Sequence, residues 1–115
     1  MGYDLYITRA TSWLDAEGAP IATAEWGEVV AADPELRIST QYHYERRHNG
    51  IIERYHPAIW IKHPDEVPFW HMDGAIHVKN PDKQTTQKMV QLAIKLSARV
   101  LGESDEEYGL NGEPI

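Results

Sequence analysis

The chain contains no cysteine. That removes disulfides, thiolate nucleophiles and every zinc site built on sulfur, and it fits a reducing compartment. No stretch approaches the roughly 20 apolar residues of a membrane span. The N-terminus, running Tyr3-Asp4-Leu5-Tyr6-Ile7, has neither a basic segment nor a long apolar core, so no signal peptide is expected and the cytoplasm is the expected location. There is no phosphate-cradling glycine loop, no Gly-x-Ser-x-Gly elbow and no His-x-x-x-His pair. The motifs that most often announce nucleotide binding, acyl transfer or helical zinc binding are therefore missing.

What is present suits one globular domain. The 115 residues, 42% hydrophobic with four tryptophans, are enough for a packed core and point to a single α+β domain spanning residues 1–115. The formal charge of −7 is unevenly spread. Residues 1–36 and the tail from 100 onward are strongly acidic, whereas residues 37–64 hold five bases against two acids. Acidity of this kind favours a basic partner by steering and disfavours phosphate backbones.

Periodicity then places the elements. Tyr3 to Thr8 alternates as a strand, and residues 9–22 are irregular. Thr23 is expected to cap a helix whose apolar face is Trp26, Val29 and Val30, and Asp33-Pro34 ends it. Asn49-Gly50 calls for a type I′ hairpin. The register it implies opposes Arg46 to Glu53, Glu45 to Arg54, Tyr44 to Tyr55 and His43 to His56. Pro57 interrupts, and Ala58 to Lys62 resumes as a strand. Asp73-Gly74 signals a second hairpin, with Phe69, His71, Ile76 and Val78 on its core face and Trp70, Met72 and His77 on the other. Asn80, Pro81 and Asp82 open a last helix buried through Met89, Leu92, Ala93 and Leu96. A short strand over 98–101 and a brief pairing at Tyr108 complete the chain. The fold class expected is α+β, an antiparallel meander of about five to seven strands with two helices on one face.

For function, the residues favour binding over catalysis. No catalytic residue, metal ligand or cofactor is expected. Trp, Tyr, Met and Arg dominate interface hot spots, so Trp70, Met72 and His77 form the first candidate patch for a protein partner. Tyr44, Tyr55 and Arg47 on the long hairpin form the second. Single-stranded nucleic acid would need Arg37, Arg46, Arg47, Arg54 and Lys62 beside Tyr42, Tyr44 and Tyr55, but an acidic domain is the reverse of the usual basic footprint. The alternatives are a small metal- or ligand-binding enzyme using His43, His56, His63, His71 or His77, and a housekeeping assembly subunit.

The chain also resembles a family of small bacterial proteins. The likeness lies in the opening from Tyr3 to Ala10, the Glu25-Trp26 helix followed by Asp33-Pro34-Glu35, the Val78-Lys79-Asn80-Pro81-Asp82 run, and the acidic close through Gly102 and Tyr108. The resemblance implies an immunity protein that sits on a cognate toxin and blocks it, with no catalytic motif to carry over.

Overall fold

In a computed structural model that describes residues 3–41 and 43–115, seven antiparallel strands form one sheet and two more form a separate ribbon. The strands are β1 (Leu5–Thr8), β2 (Leu36–Ile38), β3 (Tyr44–His48), β4 (Ile51–Tyr55), β5 (Ala58–Trp60), β6 (Val67–Met72), β7 (Ala75–Val78), β8 (Arg99–Leu101) and β9 (Glu107–Tyr108). The helices are α1 (Thr23–Ala32) and α2 (Lys83–Lys95), and a 3₁₀ segment covers Trp13–Gly18. The architecture is α+β, as the residue pattern implies. The strand order, β2-β5-β6-β7-β1-β8-β9, is not a plain meander, because β1 enters between β7 and β8. Tyr42 lies outside the described residues.

The central position of β1 follows from its composition. All four of its residues are buried, so both of its faces need cover. Leu5 and Ile7 point into the core with Phe69, Ile76, Val78 and Val100, where α1 supplies Trp26 and Val30 and α2 supplies Met89, Leu92 and Ala93. Tyr6 and Thr8 point the other way. There Trp13 of the 3₁₀ segment stacks on Tyr6 with ring centroids 4.6 Å apart, and the Thr8 hydroxyl accepts the Ala10 N–H at 3.0 Å.

Both helix starts differ from expectation by one or two residues. Thr23 is the first helical residue and Ala22 the cap; the Glu25 carboxylate reaches back to the Ala22 N–H at 3.1 Å, supplying from inside the first turn what the cap side chain lacks. Asp82, not Asn80, caps α2, because its carboxylate accepts the Thr85 N–H at 2.8 Å while Asn80 takes a left-handed turn with φ 43°. Arg9 ties the helices together. Its Nε donates to the Leu96 carbonyl at 2.9 Å, closing the end of α2, and its two terminal nitrogens grip Glu25 at 2.9 and 2.6 Å. That grip holds the Glu25 carboxyl down to about 2.

The interior also holds charge. Lys88 of α2 donates to Asp33 at 2.7 Å and to Glu35 at 3.0 Å; the Lys88 and Asp33 side chains are 8% and 6% exposed. Glu35 also accepts the Trp60 indole N–H at 3.0 Å. This cluster fastens α2 to the α1–β2 corner and to β5.

The two hairpins have the expected registers, Tyr44 opposite Tyr55 through His48 opposite Ile51, and Trp70 opposite His77 through Met72 opposite Ala75. At both turns two residues take positive φ: Asn49 and Gly50 at 51° and 78°, Asp73 and Gly74 at 54° and 80°. The turns differ in their surroundings. A Cβ on Gly50 would meet open space, whereas one on Gly74 would lie 2.8 Å from the Ala16 carbonyl oxygen. Gly50→Ala is therefore expected to cost about 1 kcal/mol, the left-handed penalty alone. Gly74→Ala should cost roughly 2 kcal/mol or more, since backbone must also move. Urea denaturation of both variants checks the difference; equal losses would show that the Ala16 contact carries no constraint.

Candidate functional site

The second face of the β6–β7 hairpin opens as a trough of about 450 Å³. Trp70, Met72 and His77 form its floor, Tyr44 of the ribbon and Pro68 its walls, and Asp4 and Lys79 bring one charge of each sign to it. Local register explains the floor. Trp70 lies opposite His77, so the two rings share the face that Phe69 and Ile76 leave. His77 in turn meets the Tyr6 ring edge-on at 4.9 Å, and Tyr6 carries Trp13. Trp13, Tyr6, His77 and Trp70 thus run as one aromatic row across the sheet, buried at Tyr6 and half-buried at Trp70. The row fixes the ring planes at little entropic cost, which suits an anchor surface.

Tyr44 reaches the trough because the ribbon is clipped to the sheet. Arg46 holds Asp73, a turn residue of the other hairpin, through two parallel bonds of 2.8 and 3.0 Å, and its guanidinium lies over the Tyr55 ring at 5.5 Å. A two-stranded ribbon is marginal alone, so this fork decides where it sits. Asp73 therefore does two things: it accepts the left-handed turn geometry and it anchors the ribbon.

Of the six residues named from the sequence, four converge in the trough: Trp70, Met72, His77 and Tyr44. Tyr55 is across the ribbon from Tyr44 and lines a different cleft. Arg47 is exposed and lines neither. The trough residues that local pattern misses are Asp4 and the supporting Tyr6 and Trp13. Their placement depends on β1 pairing with β7 across some 70 residues of chain, which no local pattern records.

The histidines do not gather. His43 and His56 face each other with centroids 6.0 Å apart. His63 is 5% exposed, and both its nitrogens are engaged: Nδ1 accepts the Asp65 N–H at 3.0 Å, so the proton sits on Nε2, which donates to Asp82 at 2.7 Å. Hydrogen bonds from Thr85 and His63 hold the Asp82 carboxyl down to about 2. Nε2 of His71 lies 2.7 Å from the Ile21 carbonyl oxygen. Among the described residues, no group of three or more His, Asp or Glu is arranged to hold a metal.

The acidic tail is engaged in folding as much as in display. Glu103 accepts the Asp4 N–H at 2.7 Å, Asp105 accepts the Trp13 N–H at 3.0 Å, and Glu106 accepts the hydroxyls of Tyr3 and Tyr108. Charge counted as a partner surface in the sequence is here spent on fastening the tail to β1 and the 3₁₀ segment. Among the described residues no helix is long and apolar enough to cross a membrane.

Burial lowers the pKa of His77 from its ordinary 6.5, against the opposing pull of Asp73 and Asp4. The trough floor is therefore neutral at pH 7. The sign follows: the folded state binds the proton less readily than the unfolded chain, so stability falls as pH drops below 6.5 and levels off below the folded midpoint. An NMR titration of the His77 ring should give a midpoint below 6.5; a midpoint at or above it would place the ring in water or beside a dominant negative charge. No family model, curated protein or solved structure matches this chain.

Proposed function

We propose that the protein is a non-catalytic binding module that holds a protein partner in the Trp70 trough. The observation that carries this reading is the aromatic row itself. A Trp, a Met and a neutral imidazole are left half-open to water on a backed, rigid face, with Tyr44 placed opposite by the Arg46–Asp73 fork. Large, preorganised, amphipathic side chains of this kind are the usual anchors of an interface, and the mixed charges Asp4 and Lys79 give it a polar rim. A partner burying roughly 800 Å² here would need no motion of the sheet.

The more specific reading is an immunity or inhibitor protein acting on a cognate bacterial toxin in the cytoplasm. Its support is the family resemblance, the small size and the charge of −7, which would steer a basic toxin surface toward the domain. The chain would block such a partner by covering it.

Co-expression with the product of the adjacent gene tests both levels. A stoichiometric complex is expected, and Trp70→Ala should weaken it by about 2 kcal/mol, some thirtyfold in Kd, with the melting temperature nearly unchanged. Protection of cells from that product should fall in parallel. Binding that is indifferent to Trp70→Ala and Met72→Ala would rule out the trough; a complex without any protection would rule out immunity while leaving binding intact.

A further inference from the structure

At the far edge of the sheet from β9, strand β2 has one neighbour among the described residues, β5. The pairing fixes which of its backbone groups are used. Ser39 N–H donates to the Pro57 carbonyl at 2.9 Å and Ile61 N–H to the Glu35 carbonyl at 2.9 Å, with Arg37 opposite Ile59 between them. Residues 35, 37 and 39 therefore face β5, and in the alternation of a strand residue 38 faces away. Its N–H and C=O have no partner among the described residues. The Leu36 carbonyl shares that outward direction.

Beside this open edge is a cleft larger than the trough, about 540 Å³, between α1 and the ribbon. Ile38 stands at its border, 47% exposed, with Trp26 and Gly27 of α1 on one side and Tyr55 and His56 of the ribbon on the other. An unpaired strand edge next to a partly apolar cleft is the geometry that accepts an added strand: main-chain bonds give affinity, and alternate side chains enter the cleft. The cleft's own lining charges, Arg54 and Asp73, are one of each sign, and the strand edge adds Arg37. Arg37 is exposed and makes no ion pair among the described residues, whereas Arg54 at the cleft, 63% exposed in its side chain, is paired with Glu45 at 2.9 Å. Residues 37–64 carry five bases against two acids.

The geometry points to a second docking site: an extended acidic segment of a partner protein pairs with β2 at Ile38, placing an apolar side chain between Trp26 and Tyr55 and a carboxylate on Arg37. Its strand edge at Ile38 lies outside the Trp70 trough, and the two hollows share Met72.

Two short synthetic peptides of alternating valine and charged residue, one with glutamate and one with lysine, test it on the intact chain by amide NMR. The glutamate peptide is expected to shift the signals of Leu36, Ile38 and Thr40, to slow hydrogen exchange at the Ile38 N–H, and to bind roughly tenfold tighter than the lysine peptide. Ile38→Pro, which removes the outward N–H at a position where an edge strand tolerates proline, should abolish the effect. Arg37→Glu, an exposed change that leaves the backbone alone, should reverse the charge preference. Equal binding of both peptides, no shift at Ile38, or shifts confined to Trp70 and His77 would overturn the proposal. So would Ile38 signals that move with protein concentration alone, which would make a second copy the occupant.

Discussion

Lys88, buried on the middle of α2, is met by Asp33 and Glu35 of the α1–β2 corner. Taking an ammonium and a carboxylate out of water costs several kcal/mol per ion, recovered only when geometry and further hydrogen bonds are good. Here they are. Asp33 also accepts the Glu35 N–H at 2.9 Å, and Glu35 also accepts the Trp60 indole. Burial pushes the Asp33 carboxyl up, yet the Lys88 ammonium and the Glu35 N–H together keep it below its ordinary value. Hydrogen bonds from Trp60 and then Lys88 bring Glu35 down to about 2. Lys88 thus links the corner after α1 to the start of β2, where Glu35 also accepts from the exposed Lys62 at 3.4 Å.

From that corner the rest of the trough follows. β2 leads into the ribbon, β5 returns from it, and β6 and β7 form the trough floor. The sheet separates two tasks between its faces. The helix side is the dry core, closed by Phe69, Ile76 and Met89. The other side carries the aromatic row from Trp13 to Trp70, closed at one end by the 3₁₀ segment and the acidic tail and left open at the other. The Arg46–Asp73 fork sets the ribbon between the trough and the larger cleft, so Tyr44 lines one and Tyr55 the other.

The parts legible in the sequence are those decided by neighbours in the chain. Asn49-Gly50 and Asp73-Gly74 demand positive φ at two successive positions, and that alone sets both hairpin registers and the side of the sheet on which Trp70, Met72 and His77 emerge. The stripe of α2 and the stop at Asp33-Pro34 are equally local. What local pattern does not record is pairing over long separations. β1 reads as a strand but not as the central one, because its neighbours are β7 and β8. No local pattern singles out Lys88, because its partners lie more than 50 residues away. Tyr44 reads as a ribbon residue, and only the fork between Arg46 and Asp73 brings it to the trough. The cap of α2 differs from expectation for a related reason on a smaller scale. Asp82, the observed cap, also accepts a hydrogen bond from His63 Nε2, 19 residues away.

Chemical denaturation of Lys88→Met, alone and combined with Asp33→Asn and Glu35→Gln, tests the buried pin most directly. The single variant leaves a buried carboxylate without its cation and is expected to lose about 3 kcal/mol, most of it regained when both acids are neutralised. A loss below about 1 kcal/mol, or no recovery in the triple variant, would show that the corner is held by apolar packing and that Lys88 does not organise the fold.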